Sequence, residues 1–100
     1  MLETVIATPT EQAALWALNP KARALYRSLL FCSKEAFYKA QYFLTGEWLE
    51  FSDLELEKVV GSSIQLRLRR SLGCWRLGDC FQASWAEHEG RVFCIQTATA

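Results

Sequence analysis

The sequence predicts an α+β domain in which a short helix and one long helix pack on an antiparallel sheet of about three to five strands. Two observations predict it. Residues 21–44 contain no Gly or Pro and carry apolar residues at helical spacing, whereas after residue 53 apolar and polar residues alternate. Helices that precede all the strands indicate α+β rather than alternating α/β order. With 100 residues, the chain is expected to form a single domain over 1–100.

Two helix starts are visible in the first quarter of the chain. The stretch TPTE at 8–11 predicts a short helix that runs to about Leu18, with Thr10 as a candidate cap. Asn19 and Pro20 break this helix and predict the start of the next. Asparagine is a good N-cap and proline fits the first helical position, because its missing N–H has no partner there.

The long helix is predicted over residues 21–44. Its apolar positions recur at steps of three and four, which is typical of an amphipathic helix of about six turns. These positions are Leu25, Leu29, Cys32, Ala36, Ala40 and Phe43. Gly46 predicts the end of the helix, because glycine accepts the left-handed conformation that commonly follows a last helical turn.

The second half of the chain reads as strands joined by turns. Apolar and polar residues alternate at 54–56, 64–68 and 81–85, and 91–97 is rich in residues that favour strands. Turns are predicted at 61–63 and 87–90, and a loop at 71–79. The predicted sheet is therefore antiparallel.

Composition excludes several classes of function. Eleven basic and eleven acidic residues give zero net charge, so general nucleic-acid binding is not expected. No apolar run approaches the roughly 18–20 residues that span a bilayer, and the start MLET has no basic region of a signal peptide. The four cysteines contain no Cys-x-x-Cys pair. We therefore expect reduced cysteines, no zinc site, no membrane association and a cytoplasmic location.

Three charged residues interrupt the apolar long helix. Glu35 and Lys39 are four residues apart and share one face, and Lys34 lies about 100° around the helix from Glu35. The ordinary interpretation is a solvated Glu–Lys pair on a helix surface. The functional interpretation is a carboxylate that binds a hard cation such as Mg²⁺, with two lysines placed for phosphate.

The residues around these charges carry a family resemblance. The decapeptide FCSKEAFYKA at 31–40 resembles the signature of the 4′-phosphopantetheinyl transferase superfamily, an aromatic residue, two small residues, Lys-Glu-Ala, two variable residues and Lys-Ala. The sequel QYFLTGEWLEF at 41–51 is similar to members of the enterobactin-synthetase type, as is TEQA at 10–13. The resemblance covers most of the chain and is strong over 8–57.

This resemblance implies a reaction, cofactors and partners. The family transfers 4′-phosphopantetheine from coenzyme A to a serine of an acyl or peptidyl carrier protein, with magnesium. By resemblance, Glu35 is a metal ligand that helps to activate the serine. Lys39 lies at the coenzyme A phosphates and protonates the leaving phosphate, and Lys34 supports phosphate binding. The fold implied is the C-terminal half of the larger family members.

The larger members contain a first half with an aspartate-containing metal motif, and no such motif precedes the long helix here. Three explanations remain open. The first, which we expect, is a fragment or split subunit with an N-terminal-half partner. The second is a homo-oligomer in which another copy supplies an acid, with Asp53, Glu55 and Asp79 as candidates. The third is a degenerate, non-catalytic module that binds a carrier protein or partner subunit.

Other residues leave two interpretations open. Phe37 and Tyr38 fit either the core or a partner surface. Arg67, Arg69 and Arg70 place positive charge along one strand, where a docking surface for an acidic carrier protein is possible. A solvated strand face is the favoured interpretation for these arginines.

Overall fold

A computed structural model of the chain describes residues 7–73 and 75–99. In these residues two helices precede a four-stranded antiparallel sheet of order β1-β2-β3-β4. The elements are α1 (Pro9–Ala17), α2 (Pro20–Thr45), a 3₁₀ turn (Phe51–Asp53), β1 (Leu54–Val60), β2 (Ser63–Leu68), β3 (Cys80–His88) and β4 (Arg91–Thr99). The predicted α+β class and the strand number are confirmed.

The N-cap of helix α1 lies two residues earlier than predicted. Thr8, and not Thr10, is the N-cap, because Pro9 occupies the first helical position and the cap must precede it. The Thr8 hydroxyl accepts a hydrogen bond from the Glu11 backbone N–H at 3.2 Å, and the Glu11 carboxylate accepts one from the Thr8 N–H at 2.8 Å. This reciprocal capping box fixes the start of the helix.

Both predicted ends of α2 are confirmed. The Asn19 side chain accepts a hydrogen bond from the Ala22 N–H at 2.9 Å, and Pro20 is the first helical residue. Gly46 ends the helix with φ of 67°, and its N–H donates to the Tyr42 carbonyl. Glycine adopts this left-handed conformation without the steric cost that a side chain would add.

The buried face of α2 differs from the predicted apolar stripe. Leu29 is buried as expected, but Leu25 is 36 % exposed and Phe43 is 93 % exposed. The buried side chains are Leu29, Leu30, Ser33, Lys34, Phe37 and Gln41. The prediction was wrong because it followed only apolar residues, whereas the face that meets the core includes three polar ones.

The core lies between α2 and one face of the sheet. Phe37 packs against Phe81 with ring centroids 4.6 Å apart and against Trp75 at 5.9 Å. The alternate residues of β1 to β3 that point towards the helix are buried, as in Leu54, Leu56, Ile64, Leu66, Leu68, Phe81 and Ala83. Phe37 is therefore a core residue, which settles one of the alternatives left open by the sequence.

Strand β4 forms one edge of the sheet. It pairs with β3 through a tight hairpin in which His88 faces Arg91. The strands extend further than predicted, so the turn reduces to Glu89 and Gly90. The side chains of Val92 and Cys94 are partly buried under α2, whereas Phe93 is exposed. In the described part of the chain, neither helix is both long and apolar enough to cross a membrane.

Candidate active site

Two of the three predicted site residues lie together on the open face of α2. The Glu35 carboxylate and the Lys39 ammonium are 3.8 Å apart, and their side chains are 42 % and 72 % exposed. The spacing of four residues places them one helical turn apart. An exposed pair of this kind adds little stability, so both groups are available to a ligand.

The Glu35–Lys39 pair borders a pocket between α2 and the edge strand β4. This pocket has a volume of about 260 Å³ and opens to solvent. Its lining residues are Cys32, Glu35, Ala36, Lys39, Val92, Phe93 and Cys94. The wall thus combines an anion, a cation, two thiols and an apolar strand surface. We call it the α2–β4 pocket.

Lys34 lies in the protein interior and does not line the α2–β4 pocket. Its ammonium nitrogen is 2.7 Å from the Glu11 carboxylate and 2.9 Å from the Phe51 carbonyl oxygen, and both charged side chains are fully buried. Burial lowers the pKa of Lys34, against the opposing effect of the Glu11 carboxylate. In this conformation Lys34 contributes no contact to the α2–β4 pocket. Its predicted role in phosphate binding requires the pair with Glu11 to open, and stays a prediction.

Glu11 is the centre of a buried polar network that the sequence analysis missed. One carboxylate oxygen accepts hydrogen bonds from Lys34 and from the Thr8 N–H, and the other accepts from the Leu56 N–H. The Thr8 hydroxyl donates to the Glu55 carboxylate at 2.8 Å. The network joins both helices, the 3₁₀ turn and β1. The available signal was Lys34 itself, which lies among apolar residues of the long helix. A charge buried there requires a partner.

Cys32 and Cys94 bring two thiols together across the α2–β4 pocket. Both side chains line the pocket wall, and the Cys32 sulfur donates a hydrogen bond of 3.5 Å to the Val92 carbonyl oxygen, two residues before Cys94. Burial raises the pKa of the Cys32 thiol, and the nearby Glu35 charge raises it further. Burial also raises the pKa of Cys94, to about 12. Both cysteines are free thiols in this structure.

Comparison with protein families gives a match that covers most of the chain. The family model described as 4′-phosphopantetheinyl transferase superfamily matches residues 2–95, nearly the whole chain. The chain belongs to this superfamily. A comparison with curated proteins gave no significant match. The 4′-phosphopantetheinyl transferase family uses coenzyme A as the donor of the group that it transfers, and the observed helix-on-sheet architecture agrees with a domain of this family.

The carboxylates proposed to complete a metal site in this transferase domain are engaged elsewhere. Asp53 accepts hydrogen bonds from Arg70 and from the Glu50 N–H, each at 2.9 Å. Glu55 accepts from Thr8, and the Asp79 carboxylate accepts from the Arg76 N–H at 2.8 Å. These three carboxylates are therefore already hydrogen-bonded to groups of the same chain.

The described residues offer few ligands for magnesium. No cluster of three or more His, Cys, Asp or Glu side chains occurs among them that could hold a metal ion. Glu35 is the one carboxylate in the wall of the α2–β4 pocket. Magnesium prefers octahedral oxygen coordination, commonly with one or two carboxylates. The described residues therefore supply at most part of a magnesium site.

A second exposed feature lies at the C-terminal end of α2. Tyr38 contacts Tyr42 with ring centroids 5.8 Å apart and Trp48 at 5.6 Å. Trp48 is 67 % exposed, and Phe43 is almost fully exposed. We call these four residues, Tyr38, Tyr42, Phe43 and Trp48, the aromatic patch.

The arginines considered for docking make contacts within the chain. Arg67 pairs with Glu57, and Arg70 pairs with Asp53. The Arg69 guanidinium donates to the Ser52 carbonyl oxygen at 3.0 Å. These contacts favour the solvated-face interpretation of the three arginines, because their charge is shared with acids and carbonyl groups of the same surface.

Proposed function

We propose that this chain is the C-terminal half of a 4′-phosphopantetheinyl transferase of the enterobactin-synthetase type. It transfers the phosphopantetheine arm of coenzyme A to a serine of an acyl or peptidyl carrier protein. The observation that carries the proposal is the exposed Glu35–Lys39 pair at the α2–β4 pocket, within a sequence that matches the superfamily over residues 2–95.

The chemistry needs an acceptor for the serine proton and positive charge at the phosphates. In this transfer the serine oxygen forms a bond to the phosphorus that carries pantetheine, and the bond from that phosphorus to the bridging oxygen breaks. In the proposed reaction Glu35 accepts the serine proton. The Lys39 ammonium is placed to neutralise charge on the phosphates and to protonate the departing 3′,5′-ADP. Phosphoryl transfer depends on this kind of placement and charge neutralisation.

The proposal assigns only half of the site to this chain. Glu35 would be one magnesium ligand, and the remaining acids would come from an N-terminal-half partner or from another copy. The absence of a metal-binding cluster among the described residues supports this division. If Lys34 also serves phosphate, as the resemblance implies, it does so only after release from Glu11.

A second candidate is a non-catalytic module that binds a carrier protein or a partner subunit. The aromatic patch favours it, because exposed aromatic clusters are typical of protein interfaces. This candidate requires binding of the carrier without transfer, even when an active N-terminal half is supplied.

The test is transfer of a fluorescent phosphopantetheine from labelled coenzyme A to an apo carrier protein, with magnesium. The chain is assayed alone and with an N-terminal half from an active relative. We expect labelling that Glu35→Gln and Lys39→Met each reduce by about 10²-fold or more. Glu87→Gln and Lys58→Met remove exposed charges from β3 and β1, outside the pocket, and serve as matched controls.

Two outcomes argue against the proposal. Labelling that survives Glu35→Gln and Lys39→Met places the reaction elsewhere. No labelling in any combination, together with tight binding of the apo carrier, favours the interaction module. Labelling by the chain alone would instead assign the missing ligands to a second copy, which sedimentation of the active species would show.

A further inference from the structure

The α2–β4 pocket contains a pair of thiols that the proposed transfer reaction does not use. Cys32 lies on α2 and Cys94 on β4, and both side chains line the wall of this pocket. The Cys32 sulfur lies 3.5 Å from the Val92 carbonyl oxygen, two residues before Cys94 on the same strand. Cys32 therefore contacts the edge strand next to Cys94, across the helix–strand boundary.

Both thiols are accessible to a small reagent. Each is half-buried rather than enclosed, and both line the pocket of about 260 Å³ that opens to solvent. Cys80, by contrast, lies on β3, where its sulfur is near the Gln65 side chain and the Gly78 carbonyl. It does not line this pocket.

We propose that Cys32 and Cys94 form a reversible intramolecular disulfide that clips α2 to the edge strand β4 at the wall of the α2–β4 pocket. The oxidant is a low-molecular-weight disulfide such as oxidised glutathione, which enters through the pocket opening. The bond would close a loop of more than half the chain. The inference concerns thiol chemistry alone and does not require transfer activity.

The reaction balances as two successive exchanges. Cys32 gives its proton to solvent, and its thiolate attacks one sulfur of oxidised glutathione, whose disulfide breaks to release one glutathione thiolate. Cys94 then loses its proton and attacks the Cys32 sulfur, which expels the second glutathione. The two released thiolates take up protons. In total two protein thiols are oxidised and one glutathione disulfide is reduced to two glutathione thiols.

The order of attack follows from the contact between the thiols. Burial raises the pKa of Cys32 but the neighbouring Cys94 side chain lowers it, whereas burial and Cys32 both raise the pKa of Cys94, so Cys32 is the first nucleophile and Cys94 resolves the mixed disulfide. Burial raises the pKa of both thiols, so the exchange should be faster in alkaline buffer, where a larger fraction is thiolate.

The experiment treats the full folded chain with oxidised glutathione and maps disulfides by mass spectrometry of a non-reduced digest. We expect a peptide containing Cys32 linked to one containing Cys94, the loss of two titratable thiols and full reversal by dithiothreitol. A rise in the thermal midpoint should accompany the cross-link, because it constrains the unfolded chain. The double variant Cys74→Ser/Cys80→Ser keeps only the proposed pair and should cross-link at the rate of the parent chain.

The controls separate this pair from other thiols. Cys94→Ser should stop at the mixed disulfide on Cys32, and Cys32→Ser should give no cross-link. Circular dichroism before oxidation verifies that each variant is folded. The inference is overturned if the folded parent chain gives only separate glutathione adducts. It is equally overturned if the cross-link joins Cys74 or Cys80, or if Cys74→Ser/Cys80→Ser yields none.

Discussion

The ammonium of Lys34 and the carboxylate of Glu11 form a 2.7 Å ion pair in which both side chains are fully buried. The pair connects residues 23 positions apart in the sequence. Next to Lys34 in sequence, Glu35 points to solvent and pairs with Lys39. Adjacent residues of one helix thus have opposite surroundings. Lys34 anchors α2 to the rest of the fold, and Glu35 is accessible to a ligand.

The first prediction concerns the stability supplied by the Lys34–Glu11 pair. Lys34→Met leaves the Glu11 carboxylate buried without its cation, and we expect the free energy of unfolding to fall by about 3–5 kcal/mol. Urea denaturation followed by tryptophan fluorescence measures it. Lys39→Met is the matched control on the exposed face and should change stability by about 0.5 kcal/mol or less. Equal effects of the two substitutions would contradict the structural role of Lys34.

A double-mutant cycle sharpens this result. Because Glu11→Gln and Lys34→Met remove partners of one contact, their combined cost should be smaller than the sum of the single costs, by about 0.5–3 kcal/mol. Coenzyme A binding by the folded double variant then tests Lys34 directly. Unchanged affinity confines Lys34 to the interior, and a loss that Glu11→Gln alone does not cause would support its predicted phosphate role.

The second prediction concerns the close approach of the loop at Gly73 to the end of α2. Gly73 has φ of +60°, and a Cβ added there would lie 2.9 Å from Cγ2 of Thr45. The Thr45 hydroxyl is held by the Gln41 side chain at 2.6 Å, so Thr45 cannot move away freely. We therefore expect Gly73→Ala to lower the free energy of unfolding. The left-handed backbone conformation of the alanine contributes about 1–2 kcal/mol and overpacking against Thr45 about 1–3 kcal/mol.

Gly61 provides the matched control for this substitution. Its φ is +58°, but an added Cβ would meet no atom within 4 Å. Gly61→Ala should therefore lose only the stability that the left-handed backbone conformation costs. The difference in free energy of unfolding between the two alanine variants then measures the contact with Thr45. Thr45→Ser, which removes Cγ2, should recover part of the loss in the Gly73→Ala background. Identical costs at both glycines would show that the approach to Thr45 is not tight.

The third prediction concerns alkaline pH. Burial raises the pKa of Tyr26 from 10.0 to about 12, and the charges of Glu11 and Glu55 act in the same direction. Between these values the unfolded chain has released the phenolic proton and the folded chain retains it, so stability decreases as pH rises through this window. Below pH 10 this contribution is fully present. Tyr26→Phe should remove this part of the pH dependence in urea denaturation curves measured over the same range, and parallel curves for both proteins would contradict it.

The fold could be predicted from local sequence signals, namely helix caps and the alternation of apolar and polar residues. Asn19, Pro20 and Gly46 mark the ends of α2 because capping chemistry is local. The alternation in β1 to β3 predicted the sheet because one face of each strand is buried. The N-cap of α1 was placed on Thr10 instead of Thr8 because the position of Pro9 was not used to fix the helix start.

The candidate site was only partly predictable. The spacing of Glu35 and Lys39 placed them on one helix face, and the structure has them 3.8 Å apart. The position of Lys34 in an apolar stretch indicated burial, but its partner Glu11 could not be predicted because it comes from another helix. The same holds for Cys32 and Cys94, which meet only when the last strand of the sheet docks beside α2. Contacts between distant segments are set by tertiary packing, which residue spacing does not specify.

The last prediction uses Cys32 as a reporter of charge at Glu35. The Glu35 carboxylate raises the pKa of the Cys32 thiol, so at a fixed pH it keeps the thiolate fraction low. Glu35→Gln removes this charge and should increase the rate at which iodoacetamide alkylates Cys32, because a nearby negative charge disfavours the thiolate. Peptide mapping by mass spectrometry quantifies the rate at each cysteine. Glu87→Gln is the matched control and should leave the Cys32 rate unchanged, as should a Glu35→Asp substitution that keeps the charge. A Cys32 rate that is the same in Glu35→Gln as in the parent chain would mean that the Glu35 carboxylate and the thiol do not share the α2–β4 pocket in solution.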